Sequence, residues 1–187
     1  NGMTMLGWHR VGGYAGLEPA RQLDYGRLAT LRVAGVRWVK NGPTTAMIEG
    51  LVPHDEEWSE VPRPLTGVRL LTKSCQSDDP RRDIERVSIE STALVQRQLD
   101  LPAGESGTVD IVSDRPGRLH VTTACSVERL LFVAQSYHPG WQSRIDGVPG
   151  SVFRANGDFI GCLVPPGEHD VVLEFRPQSR RLGFLLS

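Results

Sequence analysis

The 187-residue sequence lacks the features that define several large classes of protein. Its cysteines, Cys75, Cys125 and Cys162, stand far apart without a C-x-x-C pair, which excludes a zinc ribbon and a thioredoxin-type site. Asn1 begins the chain with no secretory signal, and no apolar run has the ~20 residues of a membrane-spanning helix. We therefore expect an excised piece of a longer protein. The net charge of -1 and scattered basic residues exclude a nucleic-acid footprint.

Motifs of catalysis are also missing. The sequence has no G-x-S-x-G elbow, no H-E-x-x-H pair, no phosphate-binding loop and no Gly-rich dinucleotide turn. The five histidines are isolated in sequence, so we expect neither a metal site nor another cofactor. Adjacent carboxylates repel one another, and we interpret those of 55–57 as a hydrated loop and those of 78–79 as a helix cap.

What the sequence does have is 20 glycines and 13 prolines, a content typical of a turn-rich β protein. Residues 1–104 predict a small mixed lobe, with loops over the Gly-rich first 20 residues. Its expected elements are a helix over 23–33, a strand over 36–39, an exposed Pro-rich connection over 53–66, a strand over 68–72 and a helix over 81–89. The run Ser77-Asp78-Asp79-Pro80 supplies an N-cap and a proline in the first turn of the second helix.

Residues 105–187 predict an antiparallel β-sandwich, of jelly-roll or Ig-like type, with about seven strands. Gly and Pro separate these strands at short, regular intervals. The expected strands are 109–113, 118–124, 129–136, 141–145, 151–155, 159–164 and 169–176. The whole fold is thus expected to be α+β. Cys125 and Cys162 could pair across the sandwich or stay free as small apolar residues.

The segment from Tyr137 to Trp141 is the most informative part of the chain. Pro139-Gly140 and Asp146-Gly147 indicate two successive reversals between strands, so we expect a β-meander with a tryptophan at its corner. An exposed Trp141 flanked by Tyr137, His138 and Arg144 could stack on a sugar ring. The same tryptophan could instead plug the end of the sandwich core, which is the interpretation that we favour.

A set of motifs then points to a family. They are Ser136 to Trp141, Ile145-Asp146-Gly147, Arg154-Ala155-Asn156, Leu163 to His169, Phe175-Arg176-Pro177 and Leu182-Gly183. This pattern resembles the carboxy-terminal extracytoplasmic domain of YfhO-type bacterial membrane proteins. More loosely, Gly12-Gly13-Tyr14, Leu23 to Leu31 and Gly35 to Val39 resemble the stretch that precedes this domain in the family.

The resemblance implies a location and a role. Such proteins are polytopic and are similar to C-type integral membrane glycosyltransferases, whose catalytic acidic residue sits in another loop. It therefore implies a non-catalytic domain outside the cytoplasmic membrane, whose partners are the transmembrane part of the same polypeptide and a glycan or lipid-linked sugar. The apolar run over 182–186 is then the start of a transmembrane helix, or else a last strand or tail.

Two other functions remain open on the sequence. One is a free carbohydrate-binding module, and for either function the candidate glycan contacts are Tyr137, His138, Trp141 and Arg144. The other is a hydrolase, which only scattered Ser, His and Asp residues favour. No heptad pattern or long apolar stripe demands a partner, so we expect the isolated chain to be monomeric.

Overall fold

The computed structural model of this chain describes residues 21–176 and is mostly β, with 46% strand against 10% helix. The loops predicted for the first 20 residues and the helix or strand predicted for 182–186 lie outside the described residues. The described helices are α1 (Leu28–Val33) and α2 (Pro80–Asp83), with single 3₁₀ turns at Thr45–Met47 and Ile84–Arg86.

Fourteen strands are present in the described part of the chain. The first six are β1 (Trp38–Lys40), β2 (Val52–Pro53), β3 (Trp58–Glu60), β4 (Val68–Leu71), β5 (Lys73–Gln76) and β6 (Thr92–Val95). The other eight are β7 (Thr108–Arg115), β8 (Arg118–Cys125), β9 (Arg129–Ser136), β10 (Trp141–Ile145), β11 (Val148–Gly150), β12 (Val152–Ala155), β13 (Phe159–Val164) and β14 (Gly167–Phe175).

These strands form two large sheets and one small one. The five-stranded sheet has the order β11-β10-β14-β8-β7, and the six-stranded sheet has the order β4-β9-β13-β12-β6-β5. All pairs are antiparallel except β5 with β6. The small sheet has the order β1-β3-β2.

The six-stranded sheet is buried on both faces. One face packs against the five-stranded sheet, where Leu131 and Val133 of β9 meet residues such as Val121 and Leu173. On the other face, Leu130 and Phe132 meet α1 and the segment around α2. Successive residues of a strand point to opposite faces, so β9 serves two cores at once.

The sandwich-like architecture predicted from the sequence is confirmed, and each of the seven strands predicted after Gly107 is present. Four further strands belong to the two large sheets, namely β4, β5, β6 and β11. Of these, only β4 matches a strand prediction. The boundary predicted after residue 104 falls between strands that share the six-stranded sheet, whereas the small sheet lies wholly before it.

The meander predicted around Pro139-Gly140 is wrong. β9 pairs with β4 and β13, whereas β10 pairs with β11 and β14, so the chain crosses from one sheet to the other at this corner. The reversal at Asp146-Gly147 is a true hairpin. Both residues have positive φ, 49° and 82°, which is the backbone geometry of a type I′ turn.

Both predicted helices are shorter in the structure. Before α1, the Asp24 side chain accepts a hydrogen bond from the backbone N–H of Gly26 at 2.9 Å, and this local turn replaces the first part of the helix. Asp79 caps α2 and Pro80 occupies its first turn, as expected. The helix then gives way to a 3₁₀ turn and to extended backbone at Val87.

A buried arginine ties α1 to the six-stranded sheet. The Arg69 Nη1 donates to the carbonyl oxygens of Val33 at 3.2 Å and Thr66 at 2.8 Å, and the guanidinium stacks on Phe132 at 4.2 Å. Val33 is the last residue of α1, so the positive charge lies at the negative end of the helix dipole. Burial lowers the pKa of Arg69 to about 10, which leaves the side chain charged at neutral pH.

Replacing this arginine should loosen the attachment of α1. We expect Arg69→Ala to lower the free energy of unfolding by about 2–4 kcal/mol, because two charge-assisted hydrogen bonds and the stacking on Phe132 are lost. Urea denaturation followed by circular dichroism measures this. Arg97→Ala, at an exposed position, is the matched control and should change the value little. A loss below about 1 kcal/mol in Arg69→Ala would contradict this role.

Candidate functional site

The corner between β9 and β10 is held by its own hydrogen bonds. The backbone N–H of Gly140 donates to Nδ1 of His138 at 2.9 Å, and that of Trp141 donates to the carbonyl oxygen of His138 at 3.0 Å. The His138 ring lies edge-on to Phe175 with centroids 5.2 Å apart. His138 is exposed, and one of its ring nitrogens is already used inside the turn.

Trp141 is partly buried at the end of the sandwich core. Its ring packs against the core cluster between the two large sheets and lies 5.4 Å from the ring of Phe175. The indole Nε1–H donates to the carbonyl oxygen of Ser136 at 3.2 Å. The polar edge of the indole is therefore satisfied within the corner.

Tyr137 belongs to a polar cluster beside the corner. The Arg154 guanidinium lies 4.5 Å above the Tyr137 ring and donates from Nε to Asp158 Oδ1 at 2.8 Å. The other Asp158 oxygen accepts from the backbone N–H of Arg21 at 3.3 Å. The Arg154 cation thus covers one face of the Tyr137 ring. Burial, with a further contribution from the same Asp158, raises the pKa of Tyr25 to about 12.

Arg144 points away from the other three candidate glycan contacts. Along β10, Trp141, Ser143 and Ile145 alternate inward, whereas Arg144 is exposed on the opposite face and donates to the carbonyl oxygen of Gly147 at 2.9 Å. The structure brings Tyr137, His138 and Trp141 together and separates Arg144 from them. Glycan contact by these four residues stays a prediction.

Two other motif residues pair across the sheet. His169 Nδ1 lies 2.6 Å from Asp146 Oδ2, and Asp146 Oδ1 accepts from the backbone N–H of Asp170 at 2.9 Å. The hydrogen bond to Asp146 raises the pKa of His169, with a smaller contribution from the Pro166 carbonyl oxygen. The hydrogen bond to His169 lowers the pKa of Asp146. Sequence reasoning missed this pair, since only the pairing of β10 with β14 brings these residues together.

Asn156 holds β12 next to β6. Its side-chain Oδ1 accepts a hydrogen bond from the backbone N–H of Leu94 at 2.7 Å, and its backbone N–H donates to the Leu94 carbonyl oxygen at 2.7 Å. The residue has a positive φ of 46°, a conformation that asparagine tolerates better than most residues. The motif asparagine therefore joins two strands through both its backbone and its side chain.

The other polar groups weighed in the sequence have local partners. Asp55 Oδ1 accepts from the backbone N–H groups of Glu57 and Trp58, each at 2.8 Å, which closes the acidic loop. Cys75, Cys125 and Cys162 are all free, and the last two are buried. Within residues 21–176, no group of three or more His, Cys, Asp or Glu side chains could hold a metal ion.

A groove of about 1280 Å³ lies away from the corner, between the small sheet and the segments that precede α1 and follow β5. Its walls include the aromatic residues Tyr25, Trp38 and Trp58. Sequence reasoning did not find this groove. The two tryptophans were the available signal, but Trp38 stands in a stretch that resembles the family only loosely and Trp58 stands in no recognised motif.

Fold and site together define a β-sandwich domain of two large sheets. Short helices cover the face of the six-stranded sheet that points away from the five-stranded sheet. Residues 100–187 match the model of a family described as bacterial membrane protein YfhO, which is consistent with a YfhO-type domain over this part of the chain. Neither a curated protein nor a solved structure matches the chain. No helix within residues 21–176 is both long and apolar enough to cross a membrane.

The Asp146–His169 pair makes stability depend on pH. Because the pKa of His169 is raised above 6.5, its contribution is complete below that value and is lost as pH rises through the raised pKa. Because the pKa of Asp146 is lowered below 3.8, its contribution is complete above that value and is lost on acidification through the lowered pKa. Both contributions are complete between about pH 4 and pH 6.5.

We therefore expect Asp146→Asn to lower the melting temperature most in this window, and less as the pH rises above it. Asparagine keeps the turn, because it tolerates positive φ, but it cannot carry the charge. Melting temperatures of both proteins from pH 4 to pH 9 give the measurement. Asp110→Asn on β7 is the exposed control. A difference that does not vary with pH would show that the charge pair is irrelevant.

Proposed function

We propose that this chain is part of a longer polytopic protein of the bacterial cytoplasmic membrane and forms a non-catalytic domain on its extracytoplasmic face. The match of residues 100–187 to a family of bacterial membrane proteins carries this proposal. The side of the membrane is supported by the pattern from Ser136 to Gly183, which resembles the extracytoplasmic domain of such proteins.

A non-catalytic role is supported by the contacts of the polar motif residues. Asp146 is bonded to His169 and to the backbone of Asp170, Asn156 is bonded to Leu94, and the Trp141 indole N–H is bonded to Ser136. A catalytic acid or base must present a free polar atom to its substrate, whereas these polar atoms are engaged in hydrogen bonds within the domain. These residues instead stabilise turns and strand pairs.

The domain would serve the membrane-embedded part of the same polypeptide, which by resemblance is a C-type glycosyltransferase. In this role it helps to receive a glycan or a lipid-linked acceptor during glycosylation of the cell envelope. Its sandwich carries the small sheet and the corner between β9 and β10. Surfaces that are already ordered before binding lose less conformational entropy when a ligand binds.

Cys75 provides a natural reporter for the side of the membrane. Its thiol is exposed, whereas Cys125 and Cys162 are buried and burial raises the pKa of both thiols, which slows their reaction. In intact cells that make the full-length protein, we expect a membrane-impermeant maleimide to modify Cys75. Mass spectrometry of the membrane fraction detects the modified peptide.

The variant Cys75→Ser is the matched control and should remove this signal. Cys125 and Cys162 should react only after denaturation, which verifies that the domain was folded during labelling. Modification of Cys75 only after the cells are permeabilised would place the domain in the cytoplasm and overturn the proposal. Recovery of the protein in the culture medium would favour the free carbohydrate-binding module instead.

A further inference from the structure

The small sheet carries two tryptophans on its outer face. Trp38 and Lys40 alternate with Val39, which packs inward onto the cluster of Leu31, Ile48 and Val61. Trp58 pairs with Lys40 in the register of β1 and β3, so it shares their outer face. Trp38 and Trp58 are diagonal neighbours across the two strands, a separation of about 7–8 Å between Cα atoms.

Neither tryptophan contributes to an apolar core. Both are partly exposed, and neither belongs to the three core clusters or to the residues packed against them. Trp141 differs, because it does pack against a core. A tryptophan ring has a large apolar surface that water solvates poorly, so two of them outside the cores are unexpected for stability alone.

The two rings have different surroundings. Trp38 is contacted by the His54 ring at 4.7 Å and by the Arg37 guanidinium at 5.8 Å, which fixes its orientation. Trp58 has no ring or cation contact among the described residues, and its backbone N–H is held by Asp55 Oδ1 at 2.8 Å. Trp58 thus has a partly exposed ring on an anchored backbone, with Trp38 as a second wall.

The groove beside this face has a surplus of positive charge. Arg37, Lys40 and Arg82 line it, and none of them pairs with a carboxylate within residues 21–176. The acidic side chains in its walls are already used. Asp24 and Glu85 both pair with Arg27, and Asp79 caps α2.

We propose that this tryptophan face and its groove bind an acidic oligosaccharide, with a sugar ring stacked on Trp58 and carboxylates of uronic acid residues near Arg37, Lys40 and Arg82. The flat face of an indole suits the apolar C–H face of a pyranose. Arginine and lysine side chains recognise carboxylates by charge and hydrogen bonds. The inference deepens the proposed function, on which it rests for the need to receive a glycan.

Carboxylates spread along a sugar chain fit this arrangement better than one concentrated phosphate does. Arg37 immediately precedes β1 and Lys40 is its last residue, whereas Arg82 lies on α2, which lines another part of the groove. The cations therefore belong to two separate elements of the groove wall. A chain with one negative charge on each ring can pair with them separately, and each pair adds the small stabilisation typical of exposed charge pairs.

Isothermal titration of the 187-residue chain with trigalacturonic acid tests the proposal. We expect saturable binding that weakens as salt is raised, with maltotriose, a neutral trisaccharide, binding at least about fivefold more weakly. Trp58→Ala should weaken trigalacturonate binding by about tenfold or more and leave the melting temperature unchanged, while Trp58→Phe retains most of the affinity. Lys40→Gln and Arg37→Gln should each weaken it about three- to fivefold.

Two controls separate this surface from the rest of the molecule. Lys73→Gln removes an exposed lysine on β5, and Trp141→Phe changes the corner while keeping a ring in the core; neither should alter binding. Binding that is lost in Trp141→Phe and kept in Trp58→Ala would overturn the proposal in favour of the corner. Tighter binding of glucose 1-phosphate than of trigalacturonate would overturn the carboxylate assignment.

Absence of any binding up to about 10 mM probe would also overturn the inference. Its failure is distinguishable from failure of the proposed function. Labelling of Cys75 from outside without binding of the acidic trisaccharide removes only this inference. Binding without outside labelling of Cys75 removes only the proposed location.

Discussion

The fold depends on one constraint, which is that the six-stranded sheet must be covered on both faces. Leu131 and Val133 of β9 face the five-stranded sheet, while Leu130 and Phe132 face the helices and connections that precede β7. Removing either cover would expose a full apolar face, at a cost of about 25 cal/mol for each Å² of apolar surface. The strands that follow residue 107 and the segment over 68–95 therefore stabilise each other.

Two buried arginines lie at the edges of this arrangement. Arg69 holds the end of α1 on the sheet, and Arg129 donates to the carbonyl oxygens of Pro102 and Glu105 at 2.7 Å each. The second arginine fixes the connection that leads into the sandwich. Each is a charge taken out of water, which is tolerated because carbonyl oxygens accept its hydrogen bonds. Arg69 thereby fixes the end of α1, from which the chain runs on into β1 and Trp38.

Much of the sandwich could be predicted from the sequence, for a physical reason. Strands such as β8 and β14 have one face in the core and one in water, so their apolar and polar residues alternate. The turn at Asp146-Gly147 was predictable because those residues accept positive φ. β6 was missed because all four of its residues are buried, which removes the alternation. The short β2 and β3 lie among prolines and charges that indicate a loop.

The candidate sites were harder to predict, because they depend on which strands become neighbours. His169 and Asp146 meet through the pairing of β10 with β14, and Trp58 meets Lys40 through that of β3 with β1. Neither relation is encoded in local spacing. The motif residues that were most visible in the sequence hold turns and corners, whereas the partly exposed ring of Trp58 lies on β3, a strand that the sequence did not indicate.

Hydrogen exchange on the intact chain tests the central claim most directly, namely that the segment over 68–95 and the strands that follow residue 107 are one cooperative unit. We predict that amides of β4 and β6 exchange with opening free energies within about 1 kcal/mol of those of β8 and β13. Rapid exchange throughout β4 and β6, while β8 and β13 stay protected, would show that the strands after residue 107 are stable without the segment over 68–95 and would contradict this account.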